Sequence, residues 1–138
     1  MNEISFNEFS RRFTALVLNQ TSLPKKHSDL HLLLYSATLF FQPHKSYTEK
    51  EVNKILNHWC SAFGKNLGLD HVSLRRALVD EGLLQRDPSG NHYTLELDNL
   101  PYQYDPAIQS LDLHQLIQQA MAEKERRKQE YLSSRKGN

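Results

Sequence analysis

Between Tyr47 and Leu97 two amphipathic stretches, each with its own capping residue, run into a glycine stop and then a pair of short apolar runs around a turn. That order leaves few ways to fold. Thr48 with Glu51 three residues on forms a capping box, since each side chain can satisfy an orphan backbone donor at a helix start. Val52, Ile55, Leu56, Trp59, Cys60 and Phe63 follow at helical spacing. At roughly 100° per residue they fill an arc about 140° wide, a face built to be buried. Gly64 ends that helix. Asp70 caps a second one through Leu74, Leu78 and Val79, and Gly82 stops it in the C′ position. Leu83 to Arg86 then reads as a strand, Asp87-Pro88-Ser89-Gly90 as a turn, and His92 to Leu97 as the returning strand. Helix, short turn, helix, hairpin is the order of a winged helix-turn-helix. The predicted fold class is therefore mainly α with a small β-hairpin: a winged helix-turn-helix-like domain with an extra helix at each end.

The flanks supply those extra helices. Ser5 and Glu8 make a capping-box pattern ahead of Phe6, Phe9, Phe13, Leu16 and Val17, which share one face, with Arg11 and Arg12 opposite. This helix is expected to pack on the domain; the alternative is that its aromatics cover another subunit. After Pro24, a helix starting between Lys26 and Asp29 should bury Leu30, Leu33, Leu34, Ala37, Phe40 and Phe41 and close at Pro43. Asp98 to Pro106, with two prolines and two tyrosines, reads as an extended connector over the surface. Leu113, Leu116, Ile117, Ala120 and Met121 mark a last amphipathic helix, and the end from Ser133 should fray. A chain of 138 residues suits one domain. Its parts are an N-terminal helix (1–22), a winged-helix core (23–98), a connector (99–110), and a C-terminal helix with a frayed basic tail (111–138).

Catalytic chemistry finds no foothold. Five glycines include none spaced as a phosphate-binding loop, and no nucleophile elbow is present. The pairs Glu49/Glu51 and Asp80/Glu81 fall at helix ends, where they cap or solubilise. Asp80 and Glu81 stand at a helix C-terminus, whose dipole disfavours anions by a few tenths to about 1 kcal/mol, so a cationic partner is expected, Arg86 across the turn. A single cysteine, Cys60, excludes an intrachain disulfide and a thiolate zinc cluster, and its place on the buried arc makes it a packed thiol. His27 and His31 are four apart, a spacing that can bind metal, but no third ligand of suitable spacing follows. His44, His58, His71, His92 and His114 are scattered one per element. All read as structural or solvent-facing, so neither metal nor cofactor is predicted, and the protein is read as no enzyme. The N-terminus lacks the pattern of a secretion signal, and the apolar run Leu30 to Phe41 is interrupted and too short for a bilayer. The expectation is a cytoplasmic protein without membrane contact.

Leu23-Pro24-Lys25-Lys26, Tyr47-Thr48-Glu49-Lys50-Glu51-Val52-Asn53, Asp70-His71-Val72-Ser73-Leu74-Arg75-Arg76, Leu78-Val79-Asp80-Glu81-Gly82 and Leu84-x-Arg86 together resemble one prokaryotic family, domain of unknown function 2087. The likeness runs in ordered blocks from Leu23 to Tyr93. Members of that family occur alone or attached to bacterial transcriptional regulators. The resemblance thus implies a bacterial regulatory setting and carries no activity with it.

A helix-turn-helix sends its second helix into the DNA major groove, where arginines reach guanine edges or phosphates. His71, Ser73, Arg75 and Arg76 are suited to that work, and Arg86, Ser89, Asn91 and His92 would add contacts from the wing. Charge argues the other way. The whole chain carries 17 Lys and Arg against 16 Asp and Glu, and Thr48 to Asp98 holds six basic residues against eight acidic, a net of −2. A DNA reader should be visibly basic there. Arg75 also falls inside the apolar arc, so its stem should pack and its head pair with Glu51 or Asp70, while Arg76 projects to solvent beside Asp80. From Glu123 onward six basic residues face three acidic ones, a weak attraction for nucleic acid at most. The predicted function is a non-enzymatic bacterial regulatory protein, a DNA-binding transcriptional regulator using its winged helix. The alternative is a winged-helix protein-interaction adaptor that does not touch DNA. Expected partners are double-stranded DNA or a protein. A second copy is also expected, joined through the terminal helices by Phe6, Phe9 and Phe13 at one end and Leu113, Leu116, Ile117 and Ala120 at the other.

Overall fold

Thr48 closes the capping box that its sequence promises: its hydroxyl accepts from Glu51 N at 3.2 Å while the Glu51 carboxylate accepts from Thr48 N at 3.0 Å. From that cap, in a computed structural model that describes residues 3–136, helix α3 (Glu49–Phe63) runs with Val52, Leu56, Trp59, Cys60 and Phe63 buried. Ile55, at the arc's edge, is half-buried. Helix α4 (His71–Asp80) starts at Asp70, whose carboxylate accepts from Ser73 N at 2.7 Å. It ends with Gly82 in the left-handed region at φ 77°. There Leu83 N reaches Leu78 O at 2.9 Å and Gly82 N reaches Val79 O at 3.0 Å, the paired bonds that let the chain reverse into a strand.

The hairpin forms as β3 (Leu84–Arg86) and β4 (His92–Leu95), antiparallel, with Arg86 opposite Tyr93 and Leu84 opposite Leu95. Where the sequence predicts only a hairpin, the sheet has a third strand. Tyr47–Thr48 (β2), directly before α3, pairs antiparallel with β4, so the strand order is β2-β4-β3. Two residues are too few to carry a period, which is why β2 is silent in the sequence.

Helix α2 (His27–Thr38) is the centre of the core. Every residue from His31 to Thr38 is buried, a helix covered all round, rather than one apolar face with a polar back. It stops at Thr38, before the predicted boundary at Pro43. Its buried hydroxyls are satisfied locally or by the core: Ser36 Oγ donates to Leu33 O, Thr38 Oγ1 to Tyr35 O, and Trp59 Nε1 donates to Ser36 Oγ. Helix α1 (Phe6–Asn19) buries Phe9 and Phe13 against α2 and α3, with Phe9 edge-on to Tyr35 and Phe13 edge-on to Phe63. Its Ser5 cap is one-sided, because Glu8 turns to Arg12 instead. Arg12 also meets Asp29 at 2.6 Å and so ties α1 to α2.

The connector is more ordered than its composition suggests. Gln103–Tyr104 (β5) pairs in parallel with Glu3–Ile4 (β1), and a 3₁₀ turn follows at Pro106–Ser110. Tyr104 stacks on Tyr35 with ring centroids 3.8 Å apart. Helix α5 (Leu113–Lys136) buries Leu113 and Ile117, then continues as an exposed helix through Ser133, Ser134 and Arg135, where fraying is predicted. Gly137 and Asn138 lie outside the described residues. Glu123 holds Arg126 at 2.5 Å and Arg127 at 3.2 Å, the i,i+3 and i,i+4 pairs that extend a helix beyond its packed turns. Five α-helices and two small sheets make the described residues mainly helical. Among those residues no helix is long and apolar enough to cross a membrane.

Candidate nucleic-acid interface

Helix α4 lies on the domain by Leu74 and Leu78, both fully buried, and turns its other side outward. That outer side carries Val72, 42% exposed, with Ser73, Arg76 and Asp80, while His71, Arg75 and Val79 are half-buried along its margins. Between α4 and the sheet lies a hollow of about 240 Å³. Arg75 and Arg76 of α4 and Arg86 of β3 line it, with Glu49 and Asp80 as the acidic counterweight.

The three arginines are not equivalent. Arg75 donates to Asn53 Oδ1 and lies 3.7 Å from Glu49, with its side chain only 20% exposed. Its partners are thus Asn53 and Glu49 of α3, in place of the predicted Glu51 or Asp70. The reason is competition: Glu51 is occupied by the capping box and Asp70 by the α4 cap. Those backbone bonds hold both carboxyls below their usual range. Glu49 also accepts from Tyr93 OH at 3.2 Å, so one carboxylate links α3, α4 and β4. Arg86 folds back along the hairpin, its Nε donating to Gly90 O at 3.3 Å. Gly90 has φ 77°, and a Cβ there would come within 2.6 Å of the Arg86 guanidinium. Among the described residues Arg76 has no ion pair or side-chain hydrogen bond.

Ser89, Asn91 and His92 are engaged by their own turn. Asp87 accepts from Ser89 Oγ at 2.9 Å, from Asn91 N at 3.0 Å and from His92 N at 3.4 Å, with His92 Nδ1 also 3.4 Å away. The Ser89 bond above all holds the Asp87 carboxyl below its usual range. His92 opens onto a second hollow of about 570 Å³, with Ser46, Gln85, Arg86 and Thr94. The eight predicted residues therefore divide. Arg75, Arg76 and Arg86 share the α4 hollow, His71 and Ser73 stand at the start of α4, and Ser89, Asn91 and His92 form the hairpin tip.

Glu81 does not meet Arg86. Its carboxylate lies 2.9 Å from His27 Nε2 on α2, and His27 Nδ1 lies 2.9 Å from Tyr102 OH. Beside them His31 Nδ1 meets Tyr104 OH at 2.7 Å in a buried aromatic stack. Burial lowers His31 to about 4 and pushes Tyr104 up, so both stay neutral at pH 7. Burial likewise raises the Cys60 thiol to about 11. Glu49, Asn53 and Val72 escape prediction as parts of this surface, since nothing in their spacing distinguishes them from ordinary helix-surface residues. Among the described residues no three His, Cys, Asp or Glu side chains gather where they could together hold a metal ion.

The family model described as "Uncharacterized protein conserved in bacteria (DUF2087)" matches residues 20–95. The matched span takes in α2, α3, α4 and the three-stranded sheet, and it stops where β4 stops. No curated protein and no solved structure matches the chain.

Proposed function

The chain belongs to the bacterial family of domain of unknown function 2087, and on that premise we propose that it is a non-enzymatic, cytoplasmic regulatory protein whose α3–α4–sheet unit acts as a winged helix on double-stranded DNA. The order of elements supports the reading. A winged helix has a short strand before its helix-turn-helix, and that strand joins the hairpin through the returning strand; the order β2-β4-β3 is compatible with that arrangement. The family match falls on this unit as well.

One observation carries the assignment. Arg76 is exposed in mid-helix on α4, free of partners among the described residues, and lines the same hollow as Arg75 and Arg86. A cation left unpaired on the outer side of the second helix is where a reader places a base or phosphate contact. Gel-shift titration with the gene's own upstream DNA, at two salt concentrations, tests it. Binding should weaken with salt, because phosphate neutralisation releases counterions. Absence of any duplex binding at low salt would remove the reading.

A protein-interaction adaptor is the second reading, and Val72 favours it. An exposed valine in the first turn of the outward side suits an apolar contact better than a phosphate, with Glu49 and Asp80 lowering the local positive charge. The homodimer has to be redrawn on either reading. Phe9, Phe13, Leu113 and Ile117 are spent inside the chain's own core, so the surface proposed for pairing shifts to the outer turns of α5. Met121, Tyr131 and Leu132 are the exposed large apolar residues there.

A further inference from the structure

His58 of α3 and His114 of α5, scattered by the sequence, are brought together: their Nε2 atoms lie 3.0 Å apart across a separation of 56 residues. We propose that this pair is a two-histidine binding site for a divalent transition ion of the copper, nickel and zinc class, joining α5 to α3.

Three features carry the assignment. The first is distance. An ion bonded at about 2.0–2.1 Å to two imidazole nitrogens separates them by about 2.9 Å at a right angle and about 3.3 Å at the tetrahedral angle. The observed 3.0 Å falls between those limits. A neutral pair sharing one N–H···N bond sits at the same distance, and the ion would replace that proton. The second is access. Both rings are exposed, so an ion can enter and complete its shell with water. The third is that the rings are held before any ion arrives. Phe40 packs edge-on against both, with centroids 5.8 Å from His58 and 6.0 Å from His114, and Phe63 lies 4.9 Å from His114. Preset rings lose little freedom on binding. By contrast His27 already has Glu81 and Tyr102 on its two nitrogens, and His31 is buried.

Imidazole suits copper, nickel and zinc, and a two-nitrogen site should follow the usual order of divalent affinities, with copper the tightest. The consequence is mechanical. The ion links the helix that precedes α4 to the long helix that leaves the domain, so it stiffens the base of the α5 arm.

The test is titration of the full-length, chelator-treated protein with Ni²⁺ and, separately, Cu²⁺, followed calorimetrically and by thermal melting. His58→Gln and His114→Gln, both at exposed positions, are compared with wild type, and His44→Asn, at an exposed left-handed position outside both candidate sites, serves as the control. One ion per chain should bind the wild type and the control. At an ion concentration about a hundred times Kd the melting temperature should rise by roughly 10 °C. Each of His58→Gln and His114→Gln should weaken binding at least about tenfold, because either loses the intramolecular second ligand, and should abolish the thermal shift. The proposal is overturned if neither ion binds the wild type, if both variants bind as the wild type does, or if only one substitution matters.

Discussion

The indole N–H of Trp59 donates to the hydroxyl of Ser36 at 3.0 Å, and that hydroxyl passes its own hydrogen on to Leu33 O. Both side chains are completely buried. A polar atom in the middle of the core is thus satisfied twice, and α3 is fixed against α2 in one rotation.

Replacing Trp59 should expose what this contact contributes. Trp59→Ala removes the largest fully buried side chain and should cost about 3–5 kcal/mol, as large aromatic truncations do. Against a stability of about 5–15 kcal/mol, that is enough to compromise folding in the cell. Urea melts read it directly. An unchanged midpoint would mean that α3 is not held to α2 through this residue.

Stability should also fall on mild acidification, because of His31. Its folded value is about 4 and its unfolded value about 6.5. Between those limits the unfolded chain binds the proton and the folded chain does not, so stability rises with pH there. It is fully present above about pH 6.5 and is lost progressively down to about pH 4, by at most about 3 kcal/mol. Glu51, Asp70 and Asp87 contribute with the same sign but lower on the scale, where carboxylates protonate. Urea midpoints at pH 7.5 and pH 5.0 should therefore differ more in the wild type than in His31→Leu. Equal differences would show that protonation of His31 does not oppose folding.

The outer turns of α5 should control self-association. Met121 and Leu132 are eleven residues apart, so on a helix they fall within about 20° of each other, along one exposed line. Met121→Glu with Leu132→Glu should convert a sedimenting dimer to a monomer and remove the rise of melting temperature with protein concentration that a dimer shows. A wild type that sediments as a monomer at high concentration removes the pairing surface altogether.

What the sequence made legible follows the range of the interactions. The caps at Thr48 and Asp70, the stop at Gly82 and the turn from Asp87 to Gly90 are all made within a few residues, and each formed as predicted. The burial of Arg75 was legible too, because a helical wheel records which side a residue occupies. It does not record what stands opposite. The identity of its partners depended on which carboxylates the caps had already taken. Pairing of Tyr47 with Tyr93, of Glu81 with His27 and of His58 with His114 depends on tertiary closure between distant segments, which no local period encodes. The inner turns of α5 mislead in the same way: the amphipathic pattern of Leu113 and Ile117 is real, but it faces the same chain rather than a second copy.

Two adjacent arginines separate the two functional readings. Arg75 is bound to α3 through Asn53 and Glu49, so Arg75→Ala should destabilise the fold by about 1–2 kcal/mol through lost packing and a lost charge-assisted bond. Arg76 has no such ties, and Arg76→Ala should change stability by less than about 0.5 kcal/mol. If α4 reads DNA, the second variant binds more weakly although it folds as well as the wild type. A phosphate contact would lose affinity evenly across sequences and reduce the salt slope by about one; a guanine contact would cost about 1–3 kcal/mol and relax specificity at one position. An adaptor behaves differently. Its wild type has no duplex affinity for Arg76→Ala to reduce, and Val72→Asp is then the substitution that abolishes partner binding while the fold stays intact. Loss of DNA binding in Arg75→Ala alone, in step with its loss of stability, would count against a reading role for α4.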